Sequence, residues 1–265
     1  MARAAAATAP APLPFEVRLT LAGANALIGI VVVALLVGAL WWLARQPIFT
    51  VRGITLEGGL VHHTAGSLRA QVSRKLTGSF FTIDLEHARA TFEAVPWVRR
   101  AVVRRVWPDH LAVQLEEHQS AGIWVSDDGN DRLVNTYGEV FEANPAEVED
   151  EDLPRLSGPA GSSVRLLAAY RALLPVLAPL DNAIVTLRLS GRGSWRVVLA
   201  DGAVIELGRG EPGELAARAG GFVRTLPQVQ SAYQRPLLRA DLRHPDGYAL
   251  RLKGVTTTPS KNGAN

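Results

Sequence analysis

Carboxylates stand side by side at Asp127-Asp128 and at Glu116-Glu117, and five acids fall within the six positions from Glu147 to Asp152. Paired carboxylates run general acid/base chemistry when both reach one scissile bond. Adjacent strand residues point to opposite faces, so Glu116 and Glu117 do not converge on one atom. Asp128-Gly129 is turn chemistry, and the acid run reads as a solvated loop. His62-His63 offers two imidazoles but no third metal ligand nearby, and it precedes a helix cap. Gly208-Arg209-Gly210 is too short to cradle a phosphate and has no following Lys-Ser/Thr, so it reads as a strand-to-helix turn. The chain has no cysteine, which removes thiol nucleophiles, disulfides and Cys-ligated metals. The expectation is a chain without catalytic, cofactor-binding or metal-binding residues.

The charges that remain are arginines. Arg99, Arg100, Arg104 and Arg105 form the one dense basic cluster. On a strand they alternate faces, so they do not form a nucleic-acid stripe. They are either a solvated sheet surface or a docking surface for an acidic partner. The formal net charge is +3, and residues 46–265 carry 25 basic against 24 acidic side chains, so no basic footprint calls for nucleic acid.

Several elements must position these groups. From Leu19 to Ala44 run 26 residues without a charge, with only Thr20 and Asn25 polar. A helix of that length, at about 1.5 Å per residue, exceeds a hydrocarbon core of roughly 30 Å. Trp41-Trp42 stands where an interfacial aromatic belt belongs. The run is longer than the roughly 7–15 apolar residues of a signal peptide, so a retained single span is expected. Arg3 and Arg18 on one side balance Arg45 and Arg52 on the other, and charge alone leaves the orientation open. The Ala/Pro-rich tail before the span is too short for a domain.

Residues 48–118 predict β-α-α-β-β. Phe49, Val51, Ile54 and Leu56 suggest a strand bulged at Gly53. Thr64 caps a helix with Leu68, Val72 and Leu76 on one face, ended by Gly78. Asp84 caps a second helix with Leu85, Ala88 and Phe92, closing before Pro96. Val98 to Val106 and Leu111 to Glu117 are strands joined at Pro108-Asp109, and Trp97 and Trp107 can staple the helix layer to the sheet. Residues 119–254 predict a mainly antiparallel sheet with two helices, Ser163 to Leu177 and Glu214 to Leu226. Turns fall at Tyr137-Gly138, Asp201-Gly202 and His244-Pro245-Asp246-Gly247. The fold class is α+β.

The blocks Val95-Pro96-Trp97-Val98, Ala101 to Arg105, Trp107-Pro108-Asp109 and Leu111 to Glu117, placed just past a single span, resemble the POTRA domain of the FtsQ/DivIB bacterial cell-division proteins. Leu156-Ser157-Gly158-Pro159, Tyr170-Arg171, Ser194-Trp195, Leu207-Gly208-Arg209-Gly210 and Asp241-Leu242-Arg243 follow in the order of the proteobacterial FtsQ type. The resemblance covers residues 19 to 254. It implies a cytoplasmic tail (1–18), a transmembrane helix (19–44), a POTRA domain (48–118) and a β domain (119–254), while the Thr, Ser, Asn and Gly of residues 255–265 read as a disordered tail. It further implies a single-pass type II protein of the inner membrane at the division septum, scaffolding the divisome without being an enzyme. The implied partners are FtsB and FtsL type bitopic proteins and other divisome members, with no nucleic acid and no small-molecule substrate.

The last strand, Tyr248 to Lys253, suits β-augmentation. By the resemblance, Arg243 meets a partner carboxylate, and His244, Asp246, Gly247, Tyr248, Leu250 and Leu252 line the same edge. Arg243 pairing locally with Asp241 or Asp246 is the competing reading. Arg192 or Arg196 is the candidate for a second charge contact, and the arginine cluster at 99, 100, 104 and 105 is a candidate recruitment surface. At His244 the chain departs from the family, which has an aromatic there; Tyr248 is the residue that could supply that contact. The alternatives are a POTRA-bearing envelope assembly or secretion component, which lacks a following β-barrel pattern here, and a membrane-anchored periplasmic hydrolase, which needs a nucleophile or metal cluster.

Overall fold

A computed structural model describes residues 15–44, 50–59, 61–62, 64–76, 78–126, 129–244 and 247–255. The terminal tails, Arg45, His63, Asp127-Asp128 and Pro245-Asp246 lie outside the described residues. Helix α1, Phe15–Ala44, contains the uncharged stretch, and no described side chain between Leu19 and Trp42 is buried in protein. Apolar side chains on every face of one helix demand an apolar solvent, which a bilayer supplies. A second apolar helix, near Ser163–Leu180, buries one face in a core and is a different case.

The chain divides into two compact units, one of residues up to 58, α1 included, with 63–92 and 101–115, the other of 59–62, 93–100 and 116 onward. The smaller unit is built on β1 (Gly53–Glu57), α2 (Ala65–Ser73), α3 (Leu85–Glu93), β2 (Val98–Val106) and β3 (His110–Glu117), with sheet order β1-β3-β2. Strand β1 runs parallel to β3, Gly53 opposite His110. Both helix caps fall where expected: Thr64 accepts from Ser67 N–H, and Asp84 Oδ1 accepts from the Glu86 and His87 N–H groups. Leu68, Val72, Ala88 and Phe92 of the helices and Ile54, Leu111 and Val113 of the strands are all buried. Two expectations change. Helix α2 stops at Ser73, short of Leu76. Trp107 staples nothing: it is 78% exposed on the β2–β3 turn, whereas Trp97 is buried.

The larger unit is a nine-stranded sheet. Its strands are β4 (Ser120–Trp124), β5 (Arg132–Asn135), β6 (Val140–Phe141), β7 (Arg155–Ser157), β8 (Ile184–Leu189), β9 (Trp195–Leu199), β10 (Val204–Gly208), β11 (Leu237–Asp241) and β12 (Ala249–Leu252). The spatial order is β12-β11-β10-β9-β8-β7-β4-β5-β6. Pairings at β11–β12, β9–β10, β8–β9, β4–β5 and β5–β6 are antiparallel. Parallel pairings occur at β7–β8 and β10–β11, where α4 (Ser163–Leu177) and α5 (Pro212–Tyr233) make the crossovers, and at β4–β7. Both helices lie on one face, where Leu166, Leu173, Phe222 and Leu226 pack on Leu187, Trp195, Val197, Ile205 and Leu252. The other face is open along β8–β12 and covered at β4–β6, where Leu133 is as buried as Val134. A separate small cluster holds Trp97, Leu133, Phe141 and Val148. The acid run is therefore not merely solvated: Val148 is buried, Glu147 accepts from Trp97 Nε1 at 2.5 Å, and Glu151 accepts from Ser120 Oγ at 2.5 Å.

Candidate partner-binding edge

Strand β12 ends the sheet. Among the described residues it pairs only with β11, with Asp241 opposite Ala249, Ala240 opposite Leu250 and Arg239 opposite Arg251. Its second backbone edge is unmatched, which is the template β-augmentation needs. A register shift between Leu237 and Arg239 buries Leu237 and turns Leu238 out to solvent.

The apolar residues assigned to this edge turn inward. Leu252 is buried and Leu250 packs on the main core. Tyr248 meets Phe222 edge-on at 5.3 Å between ring centroids and shares a 2.5 Å hydrogen bond with Thr225 Oγ1 on α5. These three side chains fix β12 to the helix layer, leaving a partner the backbone and the open-face side chains Ala249 and Arg251. His244 and Gly247 are exposed beside the turn; Asp246 lies outside the described residues.

Arg243 is held locally. Its Nε and Nη2 donate to both Asp241 oxygens at 2.8 and 2.5 Å, and its backbone N–H adds a third bond at 3.1 Å. The guanidinium fork and that N–H hold the Asp241 carboxyl down at about 2. Gly208, at φ +79, makes room: a Cβ there would lie 3.2 Å from Arg243 Cγ. Because β10 and β11 run parallel, with Glu206 opposite Asp241, the Arg243 segment lies at the Gly208 end of the sheet. The β8–β9 turn carrying Arg192 is at that same end, since Trp195 is opposite both Gly208 and Leu189. Arg196 lies one row inward, across from Glu206, three strands and about 14 Å from β12.

The open face carries a signal that residue-by-residue reading missed. Arg155, Arg188, Arg196, Arg239, Arg243 and Arg251 share it with Asp131, Glu206 and Asp241. Glu206 is buried between Arg196 and Arg239, at 2.8 Å from each. Arg251 faces Arg239 across the hairpin and has no ion pair among the described residues, an opposition that costs energy unless an anion joins it. Alternation in β11 and β12 places both arginines on one face, but pairing them requires the register.

The arginines of the smaller sheet are mostly committed. Arg99 donates to Glu139 and Glu116 at 2.8 Å and lies over the Tyr137 ring, the two carboxylates raising its pKa. Arg105 binds the Phe80 and Ile83 carbonyls, and Arg104 pairs with Glu57 at 3.2 Å. Arg100 is exposed and has no such bond among the described residues. The paired carboxylates have structural work: Glu116 binds Arg99, while Glu117 Oε2 accepts from the Val61 and His62 N–H groups. His62 stacks on Trp97 at 3.5 Å, and among the described residues no three His, Asp or Glu side chains gather as a metal site. The Gly208–Gly210 turn offers its Gly210 carbonyl to Trp195 Nε1 at 3.1 Å.

Comparison with known proteins places this architecture. Residues 49–118 match a model of the FtsQ-type POTRA domain, and residues 122–243 match the C-terminal domain of cell division protein FtsQ/DivIB. The chain is 40% identical over 233 residues to cell division protein FtsQ of Burkholderia pseudomallei, covering 88% of this chain and 91% of that protein. It is 38% identical over 247 residues to the Bordetella pertussis protein of the same name, covering 86% and 89%. With an apolar N-terminal helix, a POTRA domain and a C-terminal sheet in the family's order, this membrane-anchored chain belongs to the FtsQ/DivIB family of cell division proteins.

Proposed function

We propose that this chain scaffolds the divisome by capturing a bitopic partner of the FtsB/FtsL type at β12, linking early and late division proteins and helping to control septal peptidoglycan synthesis. In this reading it acts by binding and not by catalysis. It sits in the inner membrane at the septum with residues 1–18 cytoplasmic, and residues 48–118 and 119–254 act as separate periplasmic domains. The observation that carries the proposal is the unmatched edge of β12 beside Arg251, which stands opposite Arg239 and has no acidic partner among the described residues. Backbone pairing supplies affinity, and the arginines select an acidic segment. Arg243 contributes by exchanging Asp241 for a partner carboxylate or by sharing both.

The test is co-purification of FtsB with the full chain carrying Arg243→Glu and Arg251→Glu. Loss of capture with an unchanged thermal melt is the expected result; undiminished capture refutes the edge. Tyr248→Ala is a poor probe, since it also cuts β12 from α5. Septal fluorescence of a fusion checks the location, and a diffuse envelope signal refutes it.

A further inference from the structure

The smaller unit gathers an exposed aromatic and basic rim at the end where the chain leaves α1. Three ties define that end. Arg52 N–H donates to the Asp109 carbonyl at 2.9 Å, Thr50 bridges Ser79, and Arg105 holds the Phe80 and Ile83 carbonyls at 2.7 and 2.6 Å. Together they bring residues 50–52, the 79–83 loop and the Trp107-Pro108-Asp109 turn to one end of the sheet. Trp107 is 78% exposed there, Phe81 51% and Val106 43%. Arg52, Arg74 and Lys75 are exposed, and Ser73 and Leu76, which flank the last two, line one hollow with Thr50 and Arg52, which sets the three cations at this end near Asp84 and Asp109. Residues 45–49 separate this rim from α1, and five residues reach about 20 Å at most.

Exposed Trp is costly in water and favoured at the level of lipid headgroups, where neighbouring basic side chains meet anionic lipids. We propose that this rim docks on the bilayer that α1 spans, with the Trp107 turn and Phe81 at the headgroup level and Arg74 and Lys75 on anionic headgroups. The rim would hold the smaller unit close against the membrane and limit its swing about the tether. The inference rests on α1 being a membrane span.

The chain has no cysteine, so single nitroxide labels are clean probes. In full-length protein reconstituted into 3:1 POPE/POPG vesicles, accessibility to oxygen and to NiEDDA is measured at Val106→Cys, Gly29→Cys and Gly59→Cys. Neither glycine has a neighbour within 4 Å of an added Cβ, and Gly59 follows the far end of β1. The expected result is interfacial depth at 106, bilayer interior at 29 and water at 59. Each basic residue near an anionic surface shifts the docked-to-undocked ratio about fivefold, so Arg74→Gln with Lys75→Gln should lower that ratio about 25-fold. Trp107→Ala or pure POPC vesicles should also move the 106 label toward water. A water-like signal at 106 with 29 still in the bilayer overturns the rim alone; a water-like signal at 29 overturns the span. Shielding of 106 that appears only at high protein-to-lipid ratio overturns it in favour of a protein contact.

Discussion

Glu206→Gln should weaken the fold and strengthen acidic-partner capture at the same time. Glu206 is buried on β10, and one of its oxygens lies 2.8 Å from both Arg196 of β9 and Arg239 of β11. Glutamine keeps the volume and one acceptor but removes the charge. Charge-assisted bonds contribute about 1.5–3 kcal/mol each. Both guanidinium groups are about half exposed, with side-chain exposures of 47% and 52%, so water restores part of that. The expected loss is therefore about 2 kcal/mol, below the roughly 3–5 kcal/mol of a fully buried broken pair. It should lower the melting temperature by about 4–8 °C. A double-mutant cycle with Arg239→Gln should show coupling of at least about 1 kcal/mol, because most of the penalty is mutual. Released from Glu206, Arg196 and Arg239 join Arg251 as unneutralised cations on the open face. Capture of an acidic partner should then rise at low salt, with the gain vanishing near about 1 M salt, where the Debye length is about 3 Å. A stability change below about 0.5 kcal/mol would refute the bridging role. Weaker capture at low salt, with the fold intact, would refute the charge complementarity proposed for the face.

Trp97→Ala, which removes a buried indole stacked on His62 and bonded to Glu147, should cost about 3–5 kcal/mol in urea unfolding. Gly58→Ala should be destabilising by about 2 kcal/mol or more, since the residue has φ +137 and its Cβ would lie 2.3 Å from the Leu115 carbonyl oxygen. Gly59→Ala, with open space around the added carbon, should stay within about 0.5 kcal/mol. Burial holds the His118 imidazole below its ordinary pKa, outweighing the nearby Glu139 and Glu116 and reinforced by Arg99. The unfolded chain then takes up the proton more readily, so stability is fully present above about pH 6.5 and falls as pH drops through that value toward the lower folded pKa. His118→Gln should flatten the urea midpoint between pH 7.5 and 5.5; an unchanged slope would rule out this histidine as its source.

Local chemistry made much of this fold legible. Thr64 and Asp84 cap because a side-chain oxygen can reach the N–H groups of the next turn whatever the rest of the chain does. Asp201-Gly202 turns because glycine tolerates φ +86 there. What escaped the sequence depends on partners far along the chain. The parallel pairings of β7 with β8 and β10 with β11 follow from α4 and α5 crossing over one face, and alternation within a strand is the same in either direction. Trp97 and Trp107 read alike as bracketing aromatics. Only the Trp97 backbone, at φ +71, swings its indole onto Phe141 and Glu147, while Trp107 stays on a solvent-facing turn. At the candidate site the strand and its edge position were legible. The inward turn of Tyr248 depended on Thr225 and Phe222, and the Arg239–Arg251 opposition depended on register.

The charges on β12 bear on self-pairing as well as partner choice. Open sheet edges invite pairing with a copy of themselves, and short length or charge is the usual protection. The opposite edge of this sheet, β6, is protected by length, at two residues. Strand β12 has four residues and carries Arg251, with Lys253 just beyond it. Two copies of β12 paired antiparallel would bring Arg251 of each close to the other while Arg239 of each stands behind it, with like charges crowded across one small face. An acidic strand in the same slot makes the same backbone bonds and relieves the Arg239–Arg251 opposition. Discrimination between the two then comes from charge and not from backbone pairing, which every strand offers equally. The arginines that leave this edge electrostatically unsatisfied are thus what would keep it free for a heterologous acidic strand.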